Sequence, residues 1–395
     1  MCDTLVSAPP GGPVWLAKNS DREPDEAQAT ELVRPGEPAP PHMSYGPPPP
    51  PPLRAPPRFA AAISRPVWLW GCEMGVNERG LGVANEAVFT RLPVPAAGLT
   101  GMDLQRHALE QCATAEEALG RIVALLAAHP QGGRMGHRGR LRYHSSFVLA
   151  DPREAWVLET AGPFWAARRV TSWTLSNALT IGADFDRVHP DAYAHARSRG
   201  WCRSAGEFSF ARSFSAPLLS ALAGAEVRRA CTSGHLRTAP ALEPLIAALR
   251  DHNGRPPTAG LTMTAPCAHA RWLPTRAAGQ TTNSMIARLA APPALWFTGG
   301  PAPCLGVFKP VRLDAALADP RPPDERPDRS TWWRQHALHR AVLRDYAPLR
   351  ARFAGELDAL QRACLSEPAS PSMCLETWSN HHEAAAGWLA RAHAR

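Results

Sequence analysis

The order of strand-like and helix-like stretches is what most limits the folds open to this sequence. Strands come first, helices follow, strands return, and helices close the chain. "TLVSAP" and "VWLAKN" are short β-type runs on either side of the turn-rich break "PPGGP". "RPVWLWGCEMGVNERGLGVANEAVFT" (65–90) divides at "GVNERG" into two strands on a tight turn. "GMDLQRHALEQC" and "TAEEALGRIVALLAAH" are helical, and Thr114 with Glu117 has the spacing of a capping box. Residues 145–170 read as a β-meander turning first at "DPRE", and "WTLSNALTI" adds a further strand. Residues 186–256 are mixed, with helices around "APLLSALAGA" and "ALEPLIAALRDH". "GLTMTAPCAHARWLP", "GQTTNSMIARLA" and "ALWFTGGPAPCLGVFKPVRL" return to strand-like runs, and helical periodicity takes over from Ser330. Blocks of strands and blocks of helices predict an α+β protein, with helices layered on antiparallel sheets, and not a parallel βαβ array.

The composition narrows the function. A chain of 395 residues with 45% apolar content can build one large domain or two ordinary ones. The net charge of +8 comes from scattered arginines, and Lys18 and Lys309 are the only lysines. The densest short basic run, "RGRLR" (138–142), has no nucleic-acid motif around it, so no nucleic-acid partner is expected. Nine cysteines occur without a C-x-x-C pair, which supports neither a zinc ribbon nor a redox motif. Cys72, Cys267 and Cys304 therefore read as core or pocket-wall residues. "HALH" (336–339) and "NHHEAAAGW" do not match H-E-x-x-H, and His381 and His382 are neighbours pointing roughly 100° apart on a helix. "HSSF" (144–147) lacks a G-x-S-x-G elbow. No metal or organic cofactor is expected. The start of the chain has no basic n-region, Pro9–Pro13 interrupts its apolar run, and no stretch approaches the ~18 apolar residues of a membrane span. A reducing, cytoplasmic setting is the expectation. Residues 35–58, with six consecutive prolines, read as an expanded surface loop, partly polyproline II; an SH3-type partner is the other reading.

Cys2 directly follows the initiator methionine. If Met1 is removed, one residue carries both a thiol and a free α-amine. The thiolate is the nucleophile, and a free cysteine is mostly protonated at neutral pH, so a base is required. An α-amine, with a reference pKa near ~7.7–8.0, can be that base, as it is for N-terminal threonine nucleophiles. In "AKNSDRE", Asp21 can hold the amine in line, and Lys18 can lower the thiol pKa and stabilise an anionic intermediate.

"CDTLV", "AKNSDRE" and "EAQ" resemble the opening of the dipeptidase/secernin family of cysteine-type N-terminal nucleophile hydrolases. The resemblance continues through "RPVWLWGCEMGVNERGLGVANEAV", "YHSSFVLADPREAWVLETAG", "SNALTIG", "QTTNSMIARL" and "WFTGGPAPCLGVFKP", in that order. W-x-W-G-x-E-M-G-x-N-E and "PAPCLGVFKP" point to the secernin branch. The resemblance implies a four-layer αββα sandwich over residues 2–315, with a helical extension over 328–395 packed on it. It implies that Cys2 is the nucleophile, flanked by Lys18 and Asp21, with Asn85 and Asn177 supporting oxyanion and substrate. Asn19, Arg22, Glu86, His269 and Arg271 are expected to contact substrate. Relatives that act on bile salts and penicillins carry a further catalytic arginine late in the domain, for which Arg271 and Arg276 are the nearby candidates. The implied activity is hydrolysis of an amide bond in a small peptide, that of a dipeptidase, through a thioester on Cys2. A catalytically silent binding protein linked to secretion is the alternative.

Overall fold

The computed structural model describes residues 2–36, 53–139, 141–237, 240–271, 279–316, 318–367 and 370–394. Residues 37–52, the centre of the proline-rich loop, lie outside these, as does Arg276. The loop's base is described: Gly36 N–H donates to Pro57 O at 2.8 Å, and Leu53 is buried.

Fourteen strands among the described residues form two antiparallel sheets. The first contains β1 (Cys2–Ser7), β2 (Val14–Arg22), β10 (Ser172–Leu175), β12 (Gln280–Leu289), β13 (Ala294–Phe297) and β14 (Lys309–Val311), in the order β10-β1-β2-β12-β13-β14. The second contains β3 (Gln28–Val33), β4 (Ala61–Pro66), β5 (Met74–Asn77), β6 (Gly82–Val88), β7 (His144–Ala150), β8 (Ala155–Ala161), β9 (Phe164–Val170) and β11 (Arg187–Val188), in the order β11-β9-β8-β7-β6-β5-β4-β3. The helices are α1 (Gly101–Gln111), α2 (Ala115–Ala128), α3 (Ala192–Ser198), α4 (Phe210–Phe214), α5 (Pro217–Leu222), α6 (Ala225–His235) and α7 (Leu242–Leu249). After the last strand come α8 (Thr331–Val342), α9 (Tyr346–Ala351), α10 (Ala354–Ala363) and α11 (Pro371–His393).

Strand periodicity explains the layering. Val6, Val14 and Leu16 of the first sheet share one core with Met74, Val76, Ala84, Val148 and Val157 of the second, so the sheets pack face to face. Their alternate neighbours face outwards. Ile63, Val83, Phe147 and Leu149 pack under Leu104, Leu109, Leu119 and Ile122 of α1 and α2. Leu5, Trp15, Ala17 and Ile286 pack under Leu245, Ile246 and Leu249 of α7. The result is the αββα sandwich expected. All nine residues of β2 are buried, which leaves little freedom in its register. A one-residue slip would send Lys18 to the α7 side and Asn19 between the sheets, away from their partners.

The C-terminal helices pack on this frame. Trp378 of α11 donates to Pro310 O at 3.1 Å, and Lys309 Nζ lies 4.4 Å from its ring centroid. Gly299, at φ +59, lets this ring approach, because a Cβ there would lie 2.3 Å from Trp378 Cζ3. Among the described residues no helix is long and apolar enough to cross a membrane. One expectation fails. Residues 261–271 of "GLTMTAPCAHARWLP" form no strand; Ala268 and Cys267 instead make isolated backbone bonds to Thr281 and Asp251. Residues 272–278 of that stretch are outside the description.

Candidate active site

Cys2 opens β1 beside Ser20 of β2, near the C-terminal end of that central strand, and is 4% exposed. Its backbone nitrogen donates to Asn177 Oδ1 at 3.0 Å. Its sulfur accepts from the backbone nitrogen of Asp21 at 3.4 Å. A β-bulge in β12, between Thr281 and Asn283, lies directly opposite Ser20 and Asp21. Bulges re-aim side chains in this way beside functional sites. Here it brings the Thr281 hydroxyl to Asp21 Oδ1 at 2.7 Å. Burial raises Asp21 to about 6, against the opposing pull of Arg228 and the Thr281 hydrogen bond.

Lys18 is wholly buried between the sheets, where its Nζ donates to Asn85 O at 2.5 Å and lies 3.4 Å from Glu86 Oε1. Burial works against its charge, but Cys2, Glu86 and Glu73 outweigh burial and hold its pKa above the ordinary lysine value. Lys18 does pull the Cys2 pKa down, as expected from the sequence, yet burial prevails and the thiol is raised.

A buried arginine completes the frame. Arg228 of α6 donates to Cys2 O at 3.0 Å, Asp3 Oδ2 at 2.6 Å and Asn177 Oδ1 at 2.6 Å. The candidates for a late arginine were Arg271 and Arg276, whereas the arginine bonded to Cys2 is Arg228. Arg271 is elsewhere, donating to Thr258 O. Arg228 shares the buried face of α6 with Ala225 and Thr232.

Glu73, just before β5, was also missed. Its Oε2 lies 4.0 Å from Cys2 Sγ and accepts from Ser20 Oγ at 3.3 Å, while its Oε1 pairs with Arg22 at 2.9 Å. Arg22 also pairs with Glu26, at 2.5 Å, and donates to Tyr143 Oη and Met135 O. Arg22 is thus committed to holding Glu73 and Glu26.

The remaining expected residues divide. Asn177 joins Cys2, but its Oδ1 faces the Cys2 nitrogen and its Nδ2 donates to Ala87 O at 2.8 Å. Asn85 meets the site through its backbone carbonyl. Its side chain follows Val83 to the α1 face of β6, where a Cβ on Gly101 would lie 3.2 Å from Asn85 Nδ2. Glu86 is the counter-ion of Lys18 and accepts from Thr4 Oγ1 at 2.5 Å. Asn19 turns to the α7 side, donating to Leu249 O and Pro266 O, and so ties two segments to the sheet. His269 is fully buried in a cluster with Cys267 and Cys304.

Two facing antiparallel sheets between helical layers, with Cys2 at the head of β1, are the arrangement that the resemblance to N-terminal nucleophile hydrolases implies. Residues 7–157 match the family model for acyl-coenzyme A:6-aminopenicillanic acid acyl-transferase. Similar solved structures include a mutant conjugated bile acid hydrolase from Clostridium perfringens, at 10% identity and TM-score 0.44, covering 75% of this chain and 88% of that one. Penicillin V acylase from Agrobacterium tumefaciens is 14% identical with TM-score 0.44, covering 75% of this chain and 82% of that one.

Proposed function

We propose that removal of Met1 makes this chain a cysteine amide hydrolase acting on small peptides with a free amino terminus, dipeptides above all. The observation that carries this reading is the setting of Cys2: its nitrogen on Asn177, its sulfur on the Asp21 backbone, and Arg228 gripping its carbonyl. In the reaction the α-amine of Cys2 takes the thiol proton, and Sγ attacks the substrate carbonyl carbon. Asn177 Nδ2 has a second hydrogen beyond the one given to Ala87 O, and that hydrogen can meet the oxyanion. Lys18 supplies positive potential beside it. The tetrahedral adduct collapses, the amine leaves with the proton from the α-ammonium, and a thioester remains on Cys2. Water, deprotonated by the α-amine, then attacks the thioester carbonyl; the C–S bond breaks, the acid leaves, and the α-ammonium returns its proton to Sγ.

Glu73 supports the substrate class. Arg22 is flanked by two carboxylates, Glu26 and Glu73, so this corner of the site has an excess negative charge when both are ionised. A substrate α-ammonium sits one carbon from the scissile carbonyl. A carboxylate oxygen 4.0 Å from the attacking sulfur is placed to receive it. The dipeptidase/secernin resemblance supports the same choice.

Wild type lacking Met1, Cys2→Ala, Cys2→Ser and Asp21→Asn should be assayed side by side on a dipeptide panel. Ala should abolish turnover, Ser should leave little, and Asn at 21 should lower kcat far more than it changes KM. Wild type no faster than Cys2→Ala on every member would overturn the enzyme reading and favour a binding protein.

A further inference from the structure

We infer that His252, Cys267, His269 and Cys304 form a structural zinc site, a conclusion independent of any hydrolase activity. One ligand atom from each lies within 4.8 Å of all the others. His269 Nε2 is 3.0 Å from His252 Nε2, 3.3 Å from Cys267 Sγ and 3.6 Å from Cys304 Sγ. Zinc bonds of about 2.0–2.1 Å to nitrogen and about 2.3 Å to sulfur give tetrahedral edges of about 3.3–3.8 Å. The three separations from His269 Nε2 are therefore within a few tenths of an ångström of those a zinc ion would impose, and the other three lie within 4.8 Å.

The surroundings favour a built site over a chance meeting of side chains. Cys267, His269 and Cys304 are buried, whereas His252 is half-buried and lines a surface cavity together with Cys267. That cavity offers an entry path. His269 Nδ1 is 2.7 Å from Nε2 of the buried His339 on α8, the kind of outer partner that fixes the ring of a metal-ligating histidine. The backbone holds the ligand segments together. Cys267 N donates to Asp251 O at 3.0 Å, Thr281 N donates to Ala268 O at 3.0 Å, and Ala302 N donates to Thr281 O at 3.0 Å.

Two thiolates and two imidazoles are a donor set for zinc and offer nothing to calcium or magnesium. Four protein ligands leave no open position, so the role is structural. Binding releases a proton from each thiol, and two thiolates then balance the dication, leaving a neutral group suited to burial. The ion would cross-link the segment after α7, the turn at 302–305 and, through His339, the C-terminal helices. The ligands come from separate segments with no C-x-x-C spacing, so the expectation of no metal followed from counting spacings alone.

The test uses full-length protein purified without added metal or chelator. Elemental analysis should find about one zinc per chain. The double variant Cys267→Ser/Cys304→Ser should lose it, while Cys231→Ser, in the separate Cys231–His235–Asp251 group, should keep it. Because the double variant can misfold, wild type stripped by chelator is also titrated with cobalt(II). Saturation near one equivalent, with thiolate-to-cobalt charge transfer and tetrahedral d–d bands, supports the site. Zinc at buffer level with no such bands overturns it, as does metal retained by a folded double variant. A Cys267–Cys304 disulfide found by peptide mapping in freshly purified protein overturns it too.

Discussion

Replacing Glu73 with Gln keeps the side chain's shape and removes the charge proposed to receive the substrate ammonium. Arg22 retains Glu26 at 2.5 Å, so the variant does not strand a buried cation. A hydrogen bond to a charged group contributes about 1.5–3 kcal/mol, which converts to a loss of about 10- to 150-fold in kcat/KM. The loss should be confined to substrates with a free amine. The assay compares each dipeptide with its N-acetylated counterpart, on wild type and variant, with urea unfolding as a control for stability. Wild type should prefer the free amine, and Glu73→Gln should erase most of that preference while changing acetylated substrates little. An equal fall on both substrate types would refute the reasoning, because it would show Glu73 acting on Cys2 or Arg22 and not on the ammonium.

Arg228→Gln leaves Asp3 buried without its cation, and breaking such a pair costs about 3–5 kcal/mol. Urea unfolding should show that loss, and adding Asp3→Asn should restore part of it. Burial lowers the pKa of His107 and His144 to about 4 in the folded protein, from an ordinary 6.5. These two histidines therefore bind more protons in the unfolded chain between these values, and their own contribution to stability should fall as pH drops from 6.5 towards 4, opposed by buried carboxyls such as Asp21 that are raised on folding. Urea midpoints of wild type and His144→Gln across that range check the sign: the variant's advantage over wild type should grow as the pH falls from 6.5 towards 4.

The fold was legible in the sequence because its signals are local. Alternation in "TLVSAP" and "VWLAKN", the break at "GVNERG", the "DPRE" turn and the Thr114 cap each survive into the structure. The "CAHAR" stretch was not legible as coil, since its backbone bonds are made to Asp251 and Thr281, far away along the chain. The candidate site shows the same division. Cys2, Lys18 and Asp21 lie on two hairpin strands, and reading the hairpin brings them together. Asn19 has the right neighbours in sequence, but strand alternation sends it to the opposite face, under α7. Arg228 and Glu73 reach Cys2 only through tertiary packing, one from a helix and one from the facing sheet. Nothing adjacent in sequence marks either as different from a surface charge. His269 was expected at the substrate because its segment resembles the family's late cysteine-histidine stretch, but its partners His252, Cys304 and His339 lie on three other segments.

Cys2, as the first residue, is proposed to form the covalent intermediate. Its most direct measurement is intact-mass analysis of protein quenched in acid during turnover of a slow aminoacyl amide, followed by peptide mapping. The expected result is a mature mass lacking Met1 and a transient aminoacyl adduct located on Cys2, which decays as product forms and is absent from Cys2→Ala. Turnover by protein that still carries Met1, or an adduct on any of the other eight cysteines, would contradict it.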